Sequence, residues 1–155
     1  MNIFGKIEKE RGMVARIYSD FNEFPESVDA HFSLNKALML EDGPLPREER
    51  EWIAVSVSDA NGNTYCLTHH KEALDKFKGK MNLDQVKTIN ELARSLTKNP
   101  DTFNREKFRE KFFKLGYTES QWQHAINIIG YFNFTNRLAF GMGITLEEGY
   151  EQSCN

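Results

Sequence analysis

The segment TESQWQHAINIIGYFNFTNRLAFGMG, residues 118–143, constrains the fold more than any other stretch. It reads as one long helix, opened by the T-x-x-Q spacing of a capping box at Thr118 and Gln121. Its apolar residues fall on nearly every face. Such a helix has no solvent side and must be covered, at the centre of a domain or at a subunit interface. Asn133, Asn136 and Arg137 are its polar exceptions. Charge is rarely buried without a partner. These three therefore read as a polar patch lining a pocket or a subunit contact, or as a solvated face.

Most of the remaining chain also has helical spacing. Pro25 and Glu26 open a helix carrying Val28 and Phe32, with Leu38 near the same face. Gly43, Pro44 and Pro46 then break the chain. From Thr64 to Lys78, Leu67, Leu74 and Phe77 recur helically; Asn63 or Thr64 caps the start and Gly79 ends it. LDQVKTINELARSL carries Leu83, Val86, Ile89, Ala93 and Leu96 on one stripe. NREKFREKFFKLG places Phe108, Phe112 and Leu115 on one side, with mixed charges on the other, and Gly116 as its stop. Those phenylalanines read as core rather than as stacking platforms for bases. His31 and His124 read as structural or surface residues. Residues 147–155 read as a frayed tail. One run resists this pattern. Ile53, Val55 and Val57 alternate with Ala54, Ser56 and Ser58, which on periodicity alone favours a strand, although PREERE before it looks like a helix first turn.

A chain of 155 residues defaults to one domain with a real core. Apolar residues make up 39% and charged residues 28%, which argues against disorder. The net charge of -3 gives no global basic field for nucleic acid. The first residues are too charged for a secretory leader, and no run reaches a membrane span. The two cysteines form no disulfide framework, which points to a reducing cytoplasm.

The chemistry concentrates in NTYCLTHH, residues 63–70. If a helix begins at Asn63, Cys66 lies in its first turn, where free N–H groups and the macrodipole favour a thiolate. His70 is four residues on and shares its face. His69 lies on a neighbouring face and is the weaker partner. The same residues fit a cysteine that is only a small buried hydrophobe. A zinc site is the least supported reading, because the second ligand pair is missing.

EREWIAVSVSDANGNTYCLTHHKEAL resembles the core motif of the AhpD-like, carboxymuconolactone decarboxylase-like superfamily, closest to its peroxidase-related subgroup. Glu51, Val57, Ser58, Asn61, Tyr65, Cys66, His69 and His70 fall on the pattern E-x-x-x-x-x-V-S-x-x-N-x-C-x-Y-C-x-x-H-H. YFNFTNRLAFGMGI resembles the same subgroup's F-N-x-x-N-R-x-A segment. Residues 51–74 are diagnostic, with weaker similarity over most of the chain. The resemblance implies a single all-α domain, helical through 52–58, and a homo-oligomer (dimer, trimer or hexamer). It implies Cys66 as redox thiol, Glu51 as acid/base and His70 as relay, with Tyr65, His69 and Asn63 in support. The first cysteine of the family's C-x-x-C is Asn63 here, so a sulfenic acid at Cys66 lacks its usual partner.

The sequence thus points to a thiol-dependent, peroxidase-related oxidoreductase. It would take a hydroperoxide as substrate and a small or protein thiol as reductant, unless Cys154 reaches Cys66. No nucleotide, flavin or haem motif implies a cofactor. Two rivals stand beside it: a carboxymuconolactone decarboxylase-like enzyme using no thiol, and a non-enzymatic redox-sensing oligomer.

Overall fold

A computed structural model describes residues 1–155. Eight α-helices and no strand make the fold all-α: α1 (Ile3–Arg11), α2 (Arg16–Ser19), α3 (Pro25–Asn35), α4 (Arg47–Ala60), α5 (Thr64–Phe77), α6 (Leu83–Lys98), α7 (Arg105–Lys114) and α8 (Glu119–Met142). A π turn, Lys36–Leu40, continues α3, and a single 3-10 turn, Tyr150–Ser153, lies near the end of the chain. No helix is long and apolar enough to cross a membrane.

The helix starts follow their capping chemistry. Thr118 and Gln121 form the expected capping box on α8, and Asn82 with Gln85 forms another on α6. Asn63 caps α5, its side-chain oxygen accepting from the Cys66 N–H at 2.9 Å.

The strand pattern at 52–58 gives way to helix. The central element is α4, which packs against α5, α6 and α8. Ile53, Ala54, Val55, Ser56, Val57 and Ser58 are all buried, so α4 has almost no polar face to betray a 3.6-residue period. The charges before them are buried too. Glu48 accepts from the N–H groups of Gly79, Lys80 and Met81, and Arg50 donates to the carbonyls of Leu45 and Glu41. Helix α8 packs on α4, contributes to both parts of the apolar interior, and leaves Phe134, Phe140 and Met142 exposed. On α6, Leu83 is exposed while Ile89 and Ala93 reach the core.

The apolar interior has two parts. The larger joins α4, α6, α7 and α8 around Ile53, Ile89, Phe112 and Ile129. The smaller joins α1–α3 to the start of α5 and the end of α8, around Ile7, Phe32, Cys66 and Ile144. The polar exceptions of α8 sort themselves by depth. Asn136 is buried, donating to Ser58 Oγ at 3.1 Å and accepting from Asn61 at 3.0 Å. Asn61 also donates to Asn133, and Arg137 is solvated. The residues expected to fray instead form the 3-10 turn and bury Cys154.

Both remaining histidines are structural. His124 accepts from Leu45 N–H and donates to the Leu38 carbonyl. His31 Nε2 lies 2.9 Å from the Tyr131 hydroxyl, and burial lowers its pKa from 6.5 to about 4. A histidine held neutral in the native state loses stability as pH falls below the unfolded value, until the folded value is reached. The loss for His31 runs from about pH 6.5 to about pH 4 and amounts to at most about 3 kcal/mol. Urea unfolding of a His31→Gln variant should lose less stability between pH 7 and pH 4.5 than the parent chain. Equal losses would show that His31 is not held neutral.

Candidate active site

Where the two apolar cores meet, the chain leaves a cavity of about 90 Å³. That is room for several waters at about 10–15 Å³ each. Its wall is mostly apolar, with Ile7, Ile17, Phe32, Met39 and Phe132. The polar exceptions include Glu51, Cys66, His69, His70 and Cys154.

Helices α4 and α5 bring Glu51 and His70 together. Glu51 has no exposed surface, and its two oxygens have separate partners. Oε2 lies 2.7 Å from His70 Nδ1, and Oε1 accepts from Arg47 Nε at 2.7 Å. Burial pushes the Glu51 carboxyl up, but His70 and Arg47 outweigh it and hold the group below the usual carboxylate range. Arg47 in turn sits over the Phe77 ring at 4.5 Å, at the far end of α5. The His70 ring meets Phe132 edge-on, which fixes its plane.

Cys66 stands at the same cavity but apart from this pair. The residue is 3% exposed, and no hydrogen bond joins its thiol to His70. The expected low-pKa thiolate is not what the surroundings favour. Burial pushes the thiol from 9.0 up to about 12; the Asn136 amide pulls it down by less, and the Glu147 carboxylate adds to the rise. The position in the first turn of α5 is as expected, but desolvation opposes its effect.

His69, the weaker partner on sequence grounds, is the histidine that meets a sulfur. Its Nδ1 is 3.6 Å from Cys154 Sγ, and its Nε2 is 3.1 Å from Glu147 Oε1. The second contact is an ion-pair approach whose angle is poor for a hydrogen bond, so Nε2 has no aligned acceptor. Tyr65 closes this side of the site: its hydroxyl donates to Glu147 Oε1 at 3.2 Å and accepts from the Ile17 N–H. The sequence marks Asn136 only as part of a polar patch and Cys154 only as a thiol that could reach Cys66; Glu147 is the site residue it does not mark.

A model of the carboxymuconolactone decarboxylase family matches residues 25–80. No curated protein matches the chain significantly. Among solved structures, the alkylhydroperoxidase AhpD core of an uncharacterized peroxidase-related protein from Ralstonia eutropha JMP134 is 23% identical, covering 97% of this chain and 86% of that one, with a TM-score of 0.83. An uncharacterized peroxidase-related protein from Silicibacter sp. TM1040 is also 23% identical, over 98% and 86%, at 0.84. The debrominase Bmp8, in complex with 2,3,4-tribromopyrrole, is 18% identical over 97% and 86%, at 0.72. At these identities the solved structures share the fold. The family-model match spans about a third of the chain and contains the motif at residues 51–74, so the likeness to the carboxymuconolactone decarboxylase family is concentrated on α3 to α5.

Proposed function

We propose that the protein is a thiol-dependent, peroxidase-related oxidoreductase that reduces hydroperoxides through Cys66, with Glu51 and His70 as its proton relay. The observation that carries this reading is the fully buried Glu51 carboxylate, 2.7 Å from His70, on a cavity that Cys66 also lines. Buried ion pairs stabilise little compared with apolar side chains of the same volume. A buried pair on a cavity that a thiol also lines suits proton transfer. The apolar wall suits the alkyl part of a small organic hydroperoxide.

The chemistry balances as follows. The Cys66 sulfur attacks the terminal oxygen of R–O–O–H; an S–O bond forms and the O–O bond breaks. Sulfur is oxidised by two electrons and the peroxide is reduced to an alcohol. The thiol proton leaves through His70, and the departing alkoxide takes one up. Because burial keeps the thiolate scarce at neutral pH, proton removal accompanies the attack, with peroxide in the cavity bridging sulfur and imidazole. A thiol reductant then condenses with the sulfenic acid, releasing water, and a second thiol frees Cys66.

Peroxide consumption with an added thiol should vanish in Cys66→Ser. It should fall about a hundredfold or more in Glu51→Gln and His70→Ala, with circular dichroism confirming that each variant folds. Full turnover by Cys66→Ser would overturn the mechanism and favour the second reading, a thiol-independent reaction of the kind that the matched family model's name describes. A single oxidation without turnover, accompanied by a change in assembly, would instead mark a redox sensor.

The buried thiol makes a separate prediction. In a Cys154→Ser background, iodoacetamide labelling of Cys66 should rise about tenfold per pH unit from pH 7 to pH 9, because the titration lies near 12. A plateau across that range would mean a thiolate already formed at neutral pH.

A further inference from the structure

The residues beside Cys154 form an array that the relay through Glu51 and His70 does not use. Cys154 Sγ faces His69 Nδ1 at 3.6 Å and the Tyr150 carbonyl at 3.4 Å. The other nitrogen of His69 faces Glu147 at 3.1 Å. The Glu147 side chain is 10% exposed, and its Oε2 is buried with no hydrogen-bond partner. Thiol, imidazole and carboxylate thus follow one another in the order by which a base activates a sulfur nucleophile. Cys154 lines the same cavity as Cys66, although it lies far outside the diagnostic stretch of residues 51–74. Both sulfurs are free and buried.

We propose that Cys154 is the second redox thiol of this site, taking the part that Asn63 cannot play, with His69 as its base and Glu147 as the residue that orients and charge-balances His69. This rests on the peroxidase reading of Cys66. After the sulfenic acid forms, His69 Nδ1 takes the Cys154 proton. The Cys154 sulfur attacks the Cys66 sulfur, the S–S bond forms, the S–O bond breaks, and hydroxide leaves as water with the proton from His69. The product is a disulfide within one chain, and an external dithiol reduces it by exchange.

Disulfide closure requires Cα atoms within about 4.4–6.8 Å. The segment that carries Cys154 is suited to move. It follows Gly149, whose φ of 73° lies in the left-handed region, and it contains only one 3-10 turn. Apart from the buried Cys154 and the contact of Tyr150 with the His69 ring, its hold on the domain is polar. Arg11 donates to the main-chain oxygens of Ser153 and Asn155, Arg47 to that of Asn155, and Lys76 to that of Cys154. Burial pushes the Cys154 thiol up to about 11, with Lys76 opposing, so its activation also depends on an adjacent base.

The test is mass spectrometry of the full chain under non-reducing conditions, after one equivalent of cumene hydroperoxide and, separately, after diamide. Peroxide should remove two hydrogens and yield a peptide pair joined through Cys66 and Cys154 within one chain. Cys154→Ser should instead accumulate a sulfenic acid on Cys66 that dimedone traps. His69→Gln should slow disulfide closure about tenfold or more without preventing the first oxidation. If Cys66 is oxidised while Cys154 stays free in the parent chain, the inference fails and the peroxidase reading stands. If peroxide oxidises neither sulfur but diamide joins them, the peroxidase reading fails and the thiol pair stands. If diamide does not join them, the pairing of Cys154 with Cys66 is overturned.

Discussion

Glu51 has no exposed surface, so both carboxylate oxygens must be satisfied by neighbours, and those neighbours fix how three helices meet. Arg47, one turn earlier on α4, takes one oxygen and lies across Phe77 at the end of α5. His70, in the middle of α5, takes the other and presses its edge on Phe132 of α8. At the opposite end of α4, Ser58 and Asn61 bond to Asn136 and Asn133 of α8. The axis of the domain is therefore polar at both ends and apolar between them. A slip of α5 along α4 would strand a carboxylate in the interior, which is far more costly than losing an apolar contact.

The same constraint explains what could be read from the sequence and what could not. Capping boxes and amphipathic stripes act locally, so α6, α7 and the start of α8 were legible from residue spacing alone. Helix α4 was not, because burial on every side removes the periodicity by which helices are recognised. Its opening charges read only as a helix first turn, with nothing to mark their burial. Yet Glu48, Glu49, Arg50 and Glu51 are all buried, each serving a partner distant in sequence or on the adjoining loop. The resemblance to a known motif supplied the helix and the Glu51–His70 pairing that periodicity could not.

Site chemistry was legible only as far as one helix reaches. Spacing put Cys66, His69 and His70 on the first two turns of α5, but the partner of each comes from elsewhere: Asn136 from α8, Glu147 from the loop after it, and Glu51 from α4. Helix-face reasoning paired His70 with Cys66 because they are four residues apart. The fold turns His70 toward a carboxylate and leaves His69 to face a sulfur. The electrostatic argument for Cys66 was likewise incomplete. The first turn of a helix favours a thiolate, but the depth at which that turn is buried favours the thiol, and depth is a property of the assembled domain.

Asn63 sets a further condition on this architecture. Its amide oxygen holds the Cys66 N–H, so the residue that occupies the position of a second thiol also anchors the backbone from which the remaining sulfur projects. Sulfur is a weak acceptor and would cap poorly there; losing a good N-cap typically costs about 1 kcal/mol. A chain with a cysteine at this position would gain a thiol next door while loosening the turn that aims the first. With asparagine, the sulfur is held more firmly and has no adjacent thiol. Responsiveness to oxidation then becomes a matter of how freely the more distant parts of the chain can approach it.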